Sequence, residues 1–591
     1  MLKTKSKIIL GLTGALWCLS AFAEVPVPQM HQPSLPYFMQ RISFQTVTLG
    51  IFGGNTSGLV MDKYSDLNWN PAFVLADSEN AVYTDFNYLK PAASYYNYYS
   101  GQDAVSPNWY YDTQINSLQT DPLYNFAFVY KVNPNFSFGI INRSLFDYGP
   151  FRSISDWRYY STGTNARVYD ASAYNELELK TVEVARNQQK IWGTQTEIFA
   201  GYKLSSQIDI GIKAGNYIFR QWGDLFDTRY SGKLHSLVDE KNDEDFRIHG
   251  DQAEFGAGFI YHFDHNMDLG IYASVLNGQS SEKNISFDLS DYWSERATDT
   301  NYYSIDYTYL QSRHSYSADG LSPFFTIIFQ KAINPIITLR SFFSYRQTKN
   351  DISGSINAAD TAYSDRTFDS YDYNNQRYYF TRDEGFRKTE FSLTGIGDEN
   401  EKDFKWFVSL IFNQDNKWSA FTAVMLEMQT NDLVLNEESI YSRNAFTQRF
   451  FYNPGSEEQY NYYLKNYRYE YNSKLWSAII PVGINANIID GFSLLIGADL
   501  RFDLLEKSES GDMLYPERIE RITQNGTITI EDIETDRPES YNSHQPKEFT
   551  KTSAIHFGAF YEHSSGLRLA IKTDSDILDK SYWKFGLEYV F

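Results

Sequence analysis

The chain has 591 residues, and its 52 lysines and arginines face 74 aspartates and glutamates for a formal net charge of −22. An acidic excess of this size argues against nucleic acid as a partner, because a phosphate backbone is bound through basic patches. Hydrophobic residues make up 42% and aromatics 17%, yet mean hydropathy is −0.47 and no stretch after residue 23 approaches the ~20 apolar residues of a membrane-spanning helix.

In chain order, Lys3, Lys5 and Lys7 precede an apolar run from Ile8 to Leu19 and the small-residue site Ala21-Phe22-Ala23. This is the pattern of a secretory signal peptide, with cleavage expected after Ala23. Cys18 is the only cysteine, and Trp17 stands before it where a lipoprotein signal requires a small residue. Cys18 leaves with the signal, so the mature chain is expected to hold together without disulfides or thiol chemistry.

A Pro-rich lead (Val25 to Pro36) is followed by the glycine-rich Leu49–Gly58 and by Asp66-Leu-Asn-Trp-Asn-Pro-Ala-Phe73. A first strand is expected near Ala81–Leu89. Alternating segments then meet in pairs across short hinges: Tyr124–Val132 with Phe136–Phe146, Thr194–Leu204 with Ile208–Phe219, and Ala253–Phe263 with Met267–Val275. The series continues with Pro323–Ala332 and Ile336–Arg346, Phe404–Phe412 and Trp418–Met428, Lys474–Ile488 and Phe492–Leu504, then Lys551–Glu562 and Leu567–Lys572. Each hinge carries turn residues of the Asn, Asp, Gly, Pro or Ser kind, such as Asn334-Pro335 and Asp490-Gly491. Between the hairpins lie long polar connections at 149–192, 221–249, 277–320, 348–402, 430–473 and 506–549, with Lys388–Ile396 readable as strand or loop. Short turns on one side and long connections on the other are the plan of an outer-membrane barrel.

The chain closes on Tyr582-Trp-Lys-Phe-Gly-Leu-Glu-Tyr-Val-Phe591. Trp583, Phe585, Leu587, Tyr589 and Phe591 share one face, and Lys584, Gly586, Glu588 and Val590 the other. An aromatic last residue on such a strand resembles the closing strand of bacterial outer-membrane barrels, where it is the signal read by the barrel-assembly machinery. The fold expected is all-β: a transmembrane antiparallel up-and-down β-barrel of about 14–16 strands, sixteen being the best single count, with both ends in the periplasm.

Alternation also assigns faces. Phe255, Ala257, Phe259 and Tyr261 should meet lipid, as should Phe492, Leu494, Ile496, Ala498 and Leu500. Arg143, Lys213, Glu254, Arg340, Asp499 and Arg501 fall on the opposite, lumen-facing side, and neither sign dominates enough to set ion selectivity. Many inward positions are glycine (Gly139, Gly211, Gly256, Gly258, Gly270, Gly497, Gly558, Gly586). They make room for something in the lumen, or they relieve strain where strands coil.

The glycine-rich segment followed by Asn70-Pro71-Ala72 just before the first strand resembles the FadL-type family of hydrophobic-compound transporters and its PorV-like relatives of secretion systems. The resemblance covers roughly residues 45–90. It implies that the N-terminal segment folds into the lumen as a hatch, with Gly53, Gly54, Asn55, Asn70, Pro71 and Ala72 as hatch residues. Known barrels of this type have fourteen strands, and the connections here are longer and richer in tyrosine and acid. The organisation expected is thus a signal peptide at 1–23, an N-terminal extension and hatch at 24–80, and a barrel with long extracellular loops at 81–591.

Paired tyrosines such as Tyr95-Tyr96, Tyr302-Tyr303 and Tyr462-Tyr463 suit an aromatic girdle, loop packing or ligand stacking. The acidic run Asp239–Asp245 lacks the spacing of a calcium loop, and no metal site is expected. Nine histidines occur without H-E-x-x-H, and G-x-S-x-G is missing too, so no enzyme is expected. The function expected is passive transport of small hydrophobic molecules across the outer membrane, with no cofactor. A surface docking barrel of a secretion system and an open polar porin are the alternatives. The partners expected are outer-membrane lipid and lipopolysaccharide, the barrel-assembly machinery and a small hydrophobic ligand.

Overall fold

The computed structural model describes residues 44–52, 56–76, 79–87, 95–97, 112–116, 124–149, 163–169, 178–233, 236–263, 266–296, 299–372, 377–414, 417–451, 454–574 and 583–591. The signal segment and Gly53, Gly54 and Asn55 lie outside the described residues. One 18-stranded antiparallel sheet dominates. We number its positions β1 Ala81–Asn87, β2 Tyr124–Asn133, β3 Phe136–Gly149, β4 Glu178–Lys203, β5 Ile208–Lys233 and β6 Ser236–Phe263. Then follow β7 Met267–Arg296, β8 Asp299–Ala332, β9 Ile337–Asp372, β10 Arg377–Gln414, β11 Trp418–Phe451, β12 Gly455–Ile489 and β13 Phe492–Gln524. The last are β14, made of Thr527–His544 continued by Glu548–Glu562, β15 Leu567–Asp574 and β16 Lys584–Val590. Gly163–Tyr169 prolongs the β3 position along β4, so the strands fill sixteen positions.

Each strand pairs with the next in sequence, and β1 closes the ring by pairing with both β16 (Ala81↔Val590) and β2 (Ala81↔Val129). This is the up-and-down barrel, without free edges at its base. All seven expected hairpins form. Their turns are held by the predicted chemistry: the Asn334 side chain accepts from the backbone N–H groups of Ile336 and Ile337, both at 2.9 Å. Gly491 and Gly566 take φ values of 75° and 86°, where a side chain would be strained.

The long polar connections are different from what the sequence led us to expect. Most of their described residues continue the strands, including Lys388–Ile396 within β10, which runs for 38 residues. At about 3.4 Å per residue such a strand is about 130 Å long, several times what is needed to cross roughly 30 Å of hydrocarbon. The acidic run Asp239–Asp245 is likewise strand, paired along β7. The physical reason for the difference is that these segments are polar on their outer face and only partly apolar within, so the two-residue period is faint in composition although Thr, Tyr, Ile and Val are abundant.

Two zones follow along the barrel. Near the tight turns the outer face is apolar, with exposed Ile212, Phe255, Val424, Ile480, Ile484 and Ile496. Phe585, Leu587, Tyr589 and Phe591 lie on this face, as the closing strand predicted. Farther out, the inner faces of β5 and β7–β13 pack into one buried cluster that includes Tyr217, Leu276, Tyr316, Ile356, Phe391 and Tyr467. The distal extension is therefore cored by its own inward side chains.

Candidate functional site

Residues 44–52 and 56–76 lie inside the ring and touch its wall on opposite sides. Local chemistry shapes them. Thr46 caps the short helix α1 (Val47–Gly50), accepting from the Leu49 N–H at 3.3 Å, and its hydroxyl donates to Asp62 at 3.0 Å. Asn70 caps a 3-10 turn over Pro71–Leu75, accepting from the Ala72 N–H at 3.0 Å, and Pro71 sits where its missing N–H costs nothing. The same Asn70 side chain donates to the wall carbonyls of Phe259 (3.0 Å) and Ile271 (3.2 Å). The Asn-Pro-Ala element is thus pinned directly to β6 and β7.

Glycines make this approach possible. A Cβ at Gly211 would lie 2.3 Å from the Ala72 nitrogen, and one at Gly258 2.5 Å from the Asn70 side-chain oxygen. Across the lumen, a Cβ at Gly497 would lie 2.1 Å from the Ile51 carbonyl oxygen, and one at Gly558 equally close to the Ile51 side chain. Of the eight inward glycines, all but Gly256 face this segment, which decides between the two readings of the sequence. Gly201 and Gly483 serve the same contact against Val74 and Phe52.

Apolar packing fills the rest. Phe44, Tyr64, Leu67 and Val74 bury against Ala127, Ile141 and Phe199. Leu59 and Trp69 bury against Phe342, Phe407 and Met425, with the Trp69 ring edge-on to Phe342 and Phe407 at 5.7 and 5.6 Å. Leu49, Ile51 and Phe52 close on Phe421 and Leu495.

Charged side chains anchor the segment at two points. Arg340, fully buried, reaches Asp66 at 3.0 and 3.3 Å. Arg143 pairs with Glu197 at 2.6 Å and donates to Asn68 at 3.3 Å. Lys213 bridges Glu197 and Glu254, and Tyr272 (3.1 Å) and Ser274 (2.7 Å) also donate to Glu254. Arg143, Lys213 and Glu254 therefore belong to one desolvated network, whereas Arg340 stands apart. Arg501 pairs with Asp503 at 2.8 Å on the β13 wall, and Asp499 shares its inward face by register, so these two are not part of the network. Sequence reasoning missed Glu197, Asp66 and Asn68. Glu197 was within reach, since it alternates inward with Gln195 and Phe199, but nothing local pairs Asp66 with a residue 274 positions away.

Fold and lumen define a closed up-and-down β-barrel with an apolar outer band and an internal N-terminal segment. No protein-family model and no curated protein matches the chain. Among solved structures it is similar to a Pseudomonas aeruginosa FadL homologue, at 10% identity over 92% of this chain and 98% of that one, with a TM-score of 0.29. It is also similar to the ferric enterobactin receptor PfeA (8% identity, 87% and 81% covered, TM-score 0.22). The alcaligin receptor FauA of Bordetella pertussis follows (8% identity, 87% and 76% covered, TM-score 0.20). The closed register of the sheet, rather than any of these likenesses, carries the barrel assignment.

Proposed function

We propose that the protein is a gated outer-membrane barrel for the passive passage of small hydrophobic molecules, with residues 44–76 as its hatch. The observation that supports this most is the apolar collar where the hatch meets the wall, built from Trp69, Phe52, Phe342, Phe407 and Phe421. A solute that displaces the hatch would pass Trp69 and Phe52 and the facing wall residues Phe342, Phe407 and Phe421. Such a path favours apolar solutes, whereas a polar porin needs a wet lumen. Passage would need neither nucleotide nor redox cofactor. The test is uptake into vesicles holding the mature protein, comparing a small aromatic hydrocarbon with a sugar of similar size. Selective entry of the hydrocarbon is expected; equal entry, or entry of the sugar alone, rejects the reading.

The length of β8–β13 favours a second reading, in which the extension docks other proteins at the cell surface and no solute passes. Vesicles that take up neither probe although the barrel is folded would favour it.

A further inference from the structure

The sheet closes on itself at the base, but the extension leaves an edge open at β14. Thr527–His544 pairs on one side with β13, from Gln524↔Thr527 to Ser508↔His544. On the other side β15 joins only the lower part of β14, from His556 to Glu562. Among the described residues no strand lies beside the far edge of Thr527–Thr535. Backbone N–H and C=O groups on such an edge point away from the sheet and template a further strand. β13 runs for 33 residues from its tight turn. At about 3.4 Å per residue the edge at its tip stands roughly 110 Å along the strand, well beyond the hydrocarbon.

Lower on the same strand the edge is blunted. Asp536 takes a φ of 54°, which interrupts the regular strand, and Pro538 and Pro546 each remove a backbone donor. Thr527–Thr535 has none of these devices. It reads Thr-Ile-Thr-Ile-Glu-Asp-Ile-Glu-Thr, a run of high β-propensity. Ile530 and Ile533 are 54% and 55% exposed although they face Ile522 and Ile519 on β13. They are covered from one side, and a neighbouring strand would cover them from the other. The edge is also acidic. Arg521, Arg518 and Arg537 are taken up by Glu531 at 2.6 Å, Glu520 at 2.8 Å and Glu534 at 2.8 Å. Asp532 and Asp536 have no ion pair among the described residues. A second copy laid antiparallel about Glu531 or Asp532 would set carboxylate against carboxylate, which is destabilising. Basic side chains on the incoming strand fit instead.

We propose that the open edge Thr527–Thr535 accepts, as an added antiparallel strand, an extended segment of another protein in which β-branched and basic side chains are interspersed. Main-chain hydrogen bonds along the edge supply affinity, and the side-chain pairs supply selectivity. β-branched residues of the partner lie against Ile530 and Ile533, and basic ones against Glu531, Asp532 and Glu534. The proposal stands whether or not a solute passes the hatch.

The probe is a synthetic peptide, Thr-Lys-Val-Lys-Lys-Val-Thr, which in antiparallel register sets valine against Ile530 and Ile533 and lysine against Glu531, Asp532 and Glu534. One comparator has glutamate for lysine, and two others carry N-methyl groups at alternate amides, one in each phase. Binding of the labelled peptides to the detergent-solubilised mature protein is followed by fluorescence anisotropy, and folding by heat-modifiable electrophoretic mobility. The lysine peptide is expected to bind roughly tenfold more tightly than the glutamate one at low salt. Methylation in one phase should abolish binding and in the other leave it, because a single edge of the peptide is paired. Asp532→Lys should cut the preference by about threefold or more, and Ser540→Lys, between the prolines, should leave it unchanged. Should Asp532→Lys fail to fold, Asp532→Asn is expected to cut it by about twofold. No binding of the lysine peptide, binding indifferent to both methylation phases, an unchanged preference in the folded Asp532 variant, or a wild-type dimer that excludes the peptide overturns the proposal.

Discussion

At the scale of single residues, the lumen depends on what is missing as much as on what is present. Replacing Gly497 by valine puts a side chain where the Ile51 carbonyl and the Phe52 backbone now lie. The hatch cannot give way without dragging its own backbone, so Gly497→Val is expected to unseat it and open measurable single-channel conductance in planar bilayers. Gly250→Ala, whose Cβ would meet only Phe219 at an ordinary 3.6 Å, should stay silent. Silence from both variants would mean that the close approach is dispensable. The Arg340–Asp66 pair carries a second prediction. Arg340→Met leaves a buried carboxylate without its partner, which costs about 3–5 kcal/mol, while the double change with Asp66→Leu should recover most of it. Denaturant midpoints of the vesicle-inserted protein measure both.

At the scale of elements, the extension is the part most open to local perturbation. His314 is buried on the inner face of β8, and desolvation pushes its imidazole down to about 4. A group with a lowered folded-state pKa is neutral in the native protein and binds its proton first when unfolded. The stability tied to it is thus complete above about 6.5 and is lost as pH falls from there to about 4, amounting to about 3 kcal/mol. Protection factors in the extension, corrected for the intrinsic exchange rate at each pH, should therefore fall between pH 7 and 5 in the wild type, and less so in His314→Leu. A slope that does not change in the variant would assign the effect to other groups. The hairpin tip at Asn525-Gly526, with φ values of 50° and 77°, is a type I′ turn signal that the sequence reading passed over. It sits inside what was expected to be a loop, between Ile519, Ile522 and the alternating Ile528, Ile530. Gly526→Val should loosen the outer ends of β13 and β14 by about 1–3 kcal/mol in exchange experiments, and leave the barrel below unchanged.

At the scale of the whole molecule, the reading as a gated barrel is tested by removing the segment from Glu24 to Phe73. The intact protein should be silent in planar bilayers and the truncated one should form a stable pore. An intact protein that conducts freely would instead be a porin. The sequence by itself determined the class. Period-two alternation, turn residues and the closing aromatic strand are local signals, and they placed seven hairpins, sixteen positions and the outward face of β6 and β13. It also placed Asn70-Pro71-Ala72 ahead of the first strand, and Arg143, Lys213 and Glu254 on inward faces. Only the tertiary structure decided what those inward residues do. Asn70 reaches carbonyls 189 and 201 residues away, Arg340 meets Asp66 across the lumen, and two walls of glycine face one short segment. Contacts of that kind arise from closing the sheet into a ring, which brings distant strands to a shared interior, and no local period records it. The extension was hidden for a related reason: its strands are polar outside and packed against each other within, so their regularity lies in the pairing register rather than in the composition of any one segment.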